Sequence, residues 1–245
     1  MSALAHMIES RGIATVVIGL VRPHMEQTKP PRGLWVPFPL GRPLGEPENA
    51  AFQHRVLMAA LHLLERRDGP LLLVDFPDEA PSMLDNPGWS PKIVLPLRPN
   101  VLPSDRDGWT ALLAVELAAV RLRWEAAQYR FGRTTVGNSR LRPELWIPFA
   151  VSFLAGEIPE SPIEGVSPSV LVRYVADDLK ALYGEAAQAI GPQPSMGQID
   201  RWFWSETIAG DFLRALRSAA IASAHAGFNT AGSRFLVPAP FVTLP

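Results

Sequence analysis

Apolar residues in the first third of the chain form short runs separated by polar and proline-rich stretches. Residues 13–18 and 71–76 are mostly aliphatic or β-branched, and residues 34–40 form an apolar run that prolines interrupt. Short apolar runs bounded by turn residues are typical of buried strands. We therefore predict strands at these three positions.

Helical spacing appears before and between these runs. Residues 48–67 carry a wide apolar stripe that ends in two arginines and is followed by Gly69-Pro70, a helix stop. Residues 2–11 form a shorter helical pattern that ends at Gly12. The order strand, strand, helix, strand is that of an α/β protein with parallel strands. We predict a small, mostly parallel sheet in an N-terminal α/β region, residues 1–102, that carries the substrate loops.

Helical patterns dominate after residue 103. The predicted helices are rich in Ala, Leu and Trp, and they span residues 109–131, 144–155, 169–189 and 199–226. The short runs 93–95 and 235–237 are strand-like, and prolines bracket the first of them, as at a sheet edge. Exposed apolar stripes of this size would form a large patch in water. We therefore expect the helix-rich region, residues 103–245, to pack on the α/β region or to mediate association.

Composition excludes several classes of protein. The chain of 245 residues has 47% hydrophobic and 19% charged residues, which is typical of a globular protein. Its net charge of −1 lacks the basic excess of a nucleic-acid-binding protein. No apolar stretch reaches the length of about 18 residues that a membrane span requires. The absence of cysteine excludes disulfides and thiolate metal sites and fits a cytoplasmic location.

Charged residues cluster where the first two predicted strands end. The substrate-binding candidates are Arg22, His24, Glu26, Lys29, Arg32 and Arg42. Open α/β sheets bind ligands at the carboxyl ends of their strands, and arginine forms paired bonds to carboxylates. We expect the three arginines to converge at one sheet end around a small anion, with His24 and Glu26 positioning the ligand or transferring protons. A plain solvated connection is the alternative.

The remaining acidic and histidine side chains give weaker indications of a binding or metal site. Asp75, Asp78 and Glu79 follow the third strand, and they are expected to pair with Arg22 or Arg42, to orient His24, or to form a solvated turn. His54 and His62 are two helical turns apart, unlike the one-turn spacing of a helical metal-binding pair. We predict no metal site, no cofactor and no catalytic residue within the chain.

The N-terminal third also resembles a known family. The segments LVRPHMEQTKPPRGLWVPFPLGRPLGEP and AAFQHRVLMAALHLLERRDGPLLLVDFPDEAP resemble the selenoprotein B family of glycine, sarcosine, betaine and D-proline reductases, most closely its short bacterial members. The resemblance covers about residues 1–81. It implies an oxidoreductase that cleaves its substrate with a selenocysteine or cysteine located just before a helix like residues 2–11.

The sequence departs from this family at the redox residue, because it contains no cysteine or selenocysteine and begins at that helix. We expect the substrate-binding part of a selenol- or thiol-dependent reductase, truncated upstream and lacking the nucleophile. The expected partners are a small carboxylate or amino-acid-like substrate and a redox partner protein, and a homo-oligomer stays open. The alternative is a non-catalytic anion-binding or protein-interaction subunit.

Overall fold

The computed structural model describes residues 1–69 and 71–243. The chain forms two compact units that divide between Asp85 and Asn86. The first unit contains the strands β1 (Val17–Gly19), β2 (Arg32–Trp35) and β3 (Leu72–Asp75) and the helices α1 (Ser2–Glu9), α2 (Arg22–Thr28) and α3 (Ala50–Glu65). Its three strands are parallel and lie in the order β1-β2-β3. The prediction of a small parallel sheet in the N-terminal part is confirmed.

Helix α3 covers one face of the sheet. Its buried residues Phe52, Val56, Ala60 and Leu63 recur at the spacing that puts side chains on one side of a helix. They pack into a core with residues of β2 and of the segments that follow β2 and β3. The rings of Phe38, Phe52 and Phe76 form a triangle with centroid distances of 5.5 to 6.1 Å. Asn49 caps the helix by accepting a hydrogen bond from the Phe52 amide.

Helix α2 covers the other face, in the charged segment after β1 that the sequence assigned to a substrate loop. That expectation is wrong: residues 22–28 are helical, with a proline in the first turn and a left-handed C-cap at Lys29. The helical pattern is hard to see in the sequence because Met25 is the only buried residue among these seven. Met25 packs where a Cβ atom at Gly19 or Gly33 would lie only 2.1 or 2.8 Å from its side chain.

The strands also begin and end at other residues than predicted. Strand β2 begins at Arg32 because pairing with β3 starts at Pro31, whose carbonyl accepts hydrogen bonds from the Leu71 and Leu72 amides. It ends at Trp35, and Pro37 and Pro39 downstream have no N–H group to continue a ladder. Strand β1 is limited to three residues.

The second unit is helical. Its helices are α4 (Arg106–Phe131), α5 (Trp146–Ser152), α6 (Pro168–Ala187), α7 (Met196–Glu206), α8 (Ile208–Ala222) and α9 (Ala226–Ala231). They bury a shared apolar core in which the largest fully buried side chains are aromatic, among them Trp146, Tyr183 and Trp204. The helices predicted within residues 109–189 are therefore present, the second of them with 3₁₀ turns at both ends.

Three details of the helix-rich part differ from the sequence-based expectations. Residues 199–226 do not form one helix, because Thr207 ends α7 and its side chain caps α8. Residues 235–237 do not form a strand, because Gly232–Leu236 is a π-helical turn. Residues 93–95 are not a strand either: Ile93 and Leu95 pack against the helical core, and Val94 is exposed.

The segment that leads into α4 belongs with the second unit. Arg98 donates from Nε and Nη2 to the two carboxylate oxygens of the buried Asp211 on α8, and from Nη1 to the Ser205 carbonyl at 2.7 Å. Trp89, Ile93 and other apolar residues of the segment add contacts to the helical core. The compact units therefore divide near residue 85, whereas the sequence-based division was placed near residue 102.

A buried carboxylate fixes the start of α8. Glu116 of α4 is fully buried and accepts hydrogen bonds from the Ile208 and Ala209 amides at 2.8 and 2.9 Å and from the Tyr183 hydroxyl at 2.7 Å. Burial raises the pKa of Glu116, although these donors oppose the shift. The carboxylate thus satisfies amide groups that the first turn of a helix leaves without partners.

We expect Gly45→Ala to destabilise the first unit more than Gly41→Ala does. Both glycines have positive φ, 80° and 87°, so alanine strains the backbone at either position by about 1 kcal/mol. Only at Gly45 would the new Cβ lie 2.4 Å from the Phe52 ring, which adds roughly 1–3 kcal/mol of overpacking. Native-state hydrogen exchange of the α3 amides measures both effects. Equal losses would contradict this account of the Phe52 contact.

We expect Glu116→Ala to lower the free energy of unfolding of the second unit by roughly 2–5 kcal/mol, because three buried donors lose their acceptor. Glu125→Ala on the same helix removes only an exposed ion pair with Arg121 and should cost at most about 1 kcal/mol. Urea unfolding followed by tryptophan fluorescence reports on this unit, since every tryptophan except Trp35 lies in it.

The pKa shift of Glu116 predicts how the stability of the second unit changes with pH. A carboxyl group whose pKa is raised on folding contributes most stability below its unfolded pKa of about 4.3, and this contribution is lost as the pH rises through the folded value. Glu116→Gln cannot titrate. Its stability relative to the unmodified chain should therefore improve as the pH rises from about 4 to 8. A constant difference over this range would show that Glu116 has no raised pKa.

Candidate functional site

The carboxyl ends of the three strands meet at one edge of the sheet. Gly19, Trp35 and Asp75 are the last residues of β1, β2 and β3, and they are paired in register. Residues paired in this way place their side chains on the same face, here the face that α2 covers. Because α2 begins three residues after Gly19, its first residue, Arg22, lies at this edge.

Arg22 joins the ends of two strands. Its Nε donates to both carboxylate oxygens of Asp75 at 3.3 Å, and its Nη1 donates to Glu26 one helical turn away. The guanidinium carbon lies 5.9 Å from the centre of the Trp35 ring, whose Nε1 donates to the Leu20 carbonyl at 3.4 Å. We call Arg22, Glu26, Trp35 and Asp75 the Arg22 cluster. Its charged side chains are 42% to 50% exposed, so these ion pairs contribute little to stability.

An open groove of about 270 Å³ runs beside α2 on the same face. It is lined by Met25, Glu26, Lys29, Pro30, Leu71 and Leu73. Its lining therefore combines one carboxylate, one ammonium and four apolar side chains. Glu26 belongs both to the groove and to the Arg22 cluster, whereas Lys29, Pro30 and Leu71 come just before β2 and β3, so the groove extends from Glu26 toward the amino edge of the sheet.

Leu71 gives the groove a strained wall. Its φ is 82°, a conformation that a leucine rarely adopts, and its side chain is 56% exposed. Its amide donates to the Pro31 carbonyl at 3.1 Å, which holds the residue at the start of β3. Strained backbone of this kind is often found beside ligand sites.

Arg32 lies at the opposite edge of the sheet. It is the first residue of β2, so it is about 10 Å along the strand from Trp35. Its Nη1 donates to Glu9 Oε1 at 2.7 Å, and the same oxygen accepts from the amide and the hydroxyl of Thr15 at 2.9 Å. Burial acts to raise the pKa of Glu9, but these hydrogen bonds and the Arg32 charge outweigh it and lower the pKa. Arg22 and Arg32 therefore do not converge.

The other candidates lie around α2 and the turn after β2, where His24 and Lys29 are exposed and Arg42 is half-buried. His24 is on the outer surface of α2, and Arg42 follows a turn in which its amide donates to the Pro39 carbonyl at 3.0 Å. The Lys29 carbonyl contacts His6 Nε2 at 2.7 Å. In the described part of the chain, no hydrogen bond or ion pair engages the side chains of His24, Lys29 or Arg42. Their role in substrate binding stays a prediction.

The sequence indicated some of this arrangement and missed some. Asp75 pairs with Arg22, one of the two arginines proposed for it, whereas Asp78 pairs with Arg55 of α3 at 3.0 Å. Trp35 was not among the candidate residues. Its position two residues after Gly33 in a strand places both on one face, and this alternation was the available signal.

Comparison with known proteins identifies no relative: the chain matches no protein-family model, and no curated protein or solved structure is significantly similar to it. Over residues 1–69 and 71–243, no helix is both long and apolar enough to cross a membrane. Within the same residues, no group of three or more His, Asp or Glu side chains is arranged to hold a metal ion.

We expect Arg32→Ala to destabilise the first unit by roughly 1–2 kcal/mol, since it removes a partly buried charged hydrogen bond. Because the pKa of Glu9 is lowered, the stability gained from this carboxylate is present above its unfolded pKa and is lost as the pH falls through the folded value. The effect of Arg32→Ala should therefore shrink in acid. Hydrogen exchange of the β2 amides at neutral and acidic pH measures it.

Arg66→Ala is the matched control, because it breaks a solvent-exposed pair with Asp68. It should change hydrogen exchange of β2 little. Equal effects of the two substitutions would mean that the Arg32 pair does not hold the sheet.

Proposed function

We propose that the groove beside α2 binds a small amino-acid-like carboxylate, and that the chain is the substrate-binding part of a selenol- or thiol-dependent reductase of the glycine, sarcosine, betaine or D-proline type. The observation that carries the binding proposal is that Glu26 and Lys29, a carboxylate and an ammonium, both line one apolar-walled groove of about 270 Å³. The reductase assignment rests on the sequence resemblance over residues 1–81.

The groove chemistry matches a zwitterion. The Lys29 ammonium can hold a carboxylate, and the free oxygen of Glu26 can accept a hydrogen bond from a protonated amine or attract an N-methylated one. Glu26 lies in the last turn of α2 and Lys29 is its left-handed C-cap, and both side chains line the groove. Met25, Pro30 and Leu73 supply apolar contact for the carbon atoms between the two charges.

The Arg22 cluster supports this site from the side. Arg22 donates to one oxygen of Glu26 and to Asp75, so it limits the orientations that the Glu26 carboxylate can adopt. One cation and two carboxylates leave the cluster with a net charge of −1, which favours the amine end of a zwitterion over a simple anion.

The redox step requires a group that this sequence does not contain. A selenol or thiol is the nucleophile of the reductases that the chain resembles, and the chain has no cysteine. We therefore assign the nucleophile to a redox partner or to a segment outside this sequence. The purified chain with a dithiol donor should bind substrate without turning it over.

A non-catalytic binding subunit is the second candidate function, and the lack of cysteine favours it. The two functions share the groove and differ in what a nucleophile-bearing partner adds. Turnover that appears only when such a partner is supplied supports the reductase. Turnover by the purified chain alone would contradict both proposals.

The binding prediction uses glycine, sarcosine, betaine and D-proline as probes, with propionate as a carboxylate that lacks an amine. We expect Lys29→Asn to weaken the binding of the amino-acid probes and of propionate about three- to tenfold, the scale for a partly screened ion pair. Asparagine is chosen because it tolerates the left-handed backbone that Lys29 adopts, φ 43°. Glu26→Gln should weaken the binding of the probes that carry an amine or ammonium group and leave the binding of propionate unchanged. Ligand-observed NMR titration measures these weak affinities.

Lys92→Asn is the matched control, because Lys92 lies in the other unit and bonds to Ser90 at 2.8 Å. It should leave all affinities unchanged. Equal losses for Lys29→Asn and Lys92→Asn, or no binding of any of the four amino-acid probes, would place the site elsewhere.

A further inference from the structure

Two carboxylates of α6 fix the loop that follows α4, residues 133–142, which we call the arginine loop. The first is Asp178, which is fully buried. It accepts hydrogen bonds from the amides of Gly137, Asn138 and Ser139 and from the Ser139 hydroxyl, at 2.6 to 2.9 Å. Four donors on one carboxylate offset much of its desolvation and hold three successive loop residues in place.

The second carboxylate is Glu185. It accepts from the hydroxyls of Thr134 and Thr135, from the Thr135 amide and from Trp124 Nε1. Glu185 and Asp178 are seven residues apart on α6, a separation of about 10.5 Å along the helix. The arginine loop is therefore attached to α6 at two separate points.

Packing and backbone geometry further restrict the conformations of the arginine loop. Val136 and Leu141 pack against the apolar core of the helices. The Arg140 amide donates to the Gly137 carbonyl at 3.2 Å, and Arg140 has a φ of 58°, a left-handed conformation that is uncommon for arginine. The contacts on both sides of Arg140 hold this backbone in place.

The loop displays positive charge that its own unit does not neutralise. Arg133, Arg140 and Arg142 are exposed. Within residues 1–69 and 71–243, neither Arg133 nor Arg140 makes a hydrogen bond or ion pair through its side chain. Arg142 lies near Glu144, but Glu144 is already bonded to Arg121 at 2.6 Å. Several other arginines of this unit do pair with carboxylates, among them Arg98, Arg106 and Arg214.

We propose that the arginine loop is a docking surface for an acidic segment of a partner protein. Guanidinium groups form paired bonds with carboxylates, and a loop already held in one conformation loses little entropy on binding. Tyr129 and Phe131, 94% and 40% exposed, lie at the end of α4 just before the loop. Exposed Tyr, Phe and Arg are the residues that protein interfaces favour.

Charge distribution favours a protein partner over nucleic acid. The carboxylates of Glu125 and Glu144 lie among the arginines near the loop, where they would repel a continuous phosphate backbone. An acidic peptide can place its charges at intervals and avoid them. The net charge of −1 gives no general attraction for polyanions.

The test measures fluorescence anisotropy of a labelled glutamate hexadecamer titrated with the full chain at low salt. We expect saturable binding that weakens at least about fivefold in the double variant Arg133→Ala/Arg140→Ala, the scale for losing two exposed charged contacts. Binding should also weaken as salt is added. A glutamine hexadecamer should not bind.

The double variant Arg217→Ala/Arg234→Ala is the matched control, because it removes the same charge from other parts of the second unit. It should change the affinity less than about twofold. Equal losses in the two double variants, or no binding of the glutamate peptide, would overturn the proposal. Tighter binding of a labelled oligothymidine of 16 nucleotides would overturn it in favour of nucleic acid.

Discussion

The contact of Met25 with two glycines determines where the site can form. Side chains at positions 19 and 33 would occupy the space of the Met25 side chain, so only glycine lets α2 lie directly on the sheet. This close approach puts the first residue of α2, Arg22, beside the ends of β2 and β3 and puts Glu26 along the groove. A helix held farther from the sheet would lengthen the Arg22–Asp75 contacts, which are already at 3.3 Å.

The two edges of the sheet have different roles as a consequence. At the carboxyl edge, Arg22 is shared between two exposed carboxylates and retains unused N–H groups, which suits a site that must exchange partners with a ligand. At the amino edge, Arg32 and Glu9 are each only 20% exposed, and Glu9 Oε1 accepts hydrogen bonds from both Thr15 and Arg32. The same residue type therefore makes exposed ion pairs at one end of β2 and a more buried, structural ion pair at the other.

Buried carboxylates organise the helical unit in a comparable way. Glu116 holds the start of α8, Asp178 holds the arginine loop, and Asp211 holds Arg98 in the segment before α4. Each lies among apolar side chains and accepts at least three hydrogen bonds or is paired in a fork, which compensates the cost of removing a charge from water. These contacts join segments that are distant in sequence, so they specify which helices and loops meet, while the apolar core supplies most of the burial.

The sequence by itself determined the class of fold and most helices, because apolar runs and helical stripes are local patterns that persist whatever they pack against. It also identified Glu26 and Lys29 as candidates, since charges after a strand in an α/β protein lie near its ligand edge. Tertiary structure decided the rest. Residues 22–28 are a helix that packs on the sheet through the contact of Met25 with two glycines, and strand register placed Arg32 at the far edge from Arg22. The groove exists only where α2 and β3 come together, and pairing between distant strands is not encoded in any single segment.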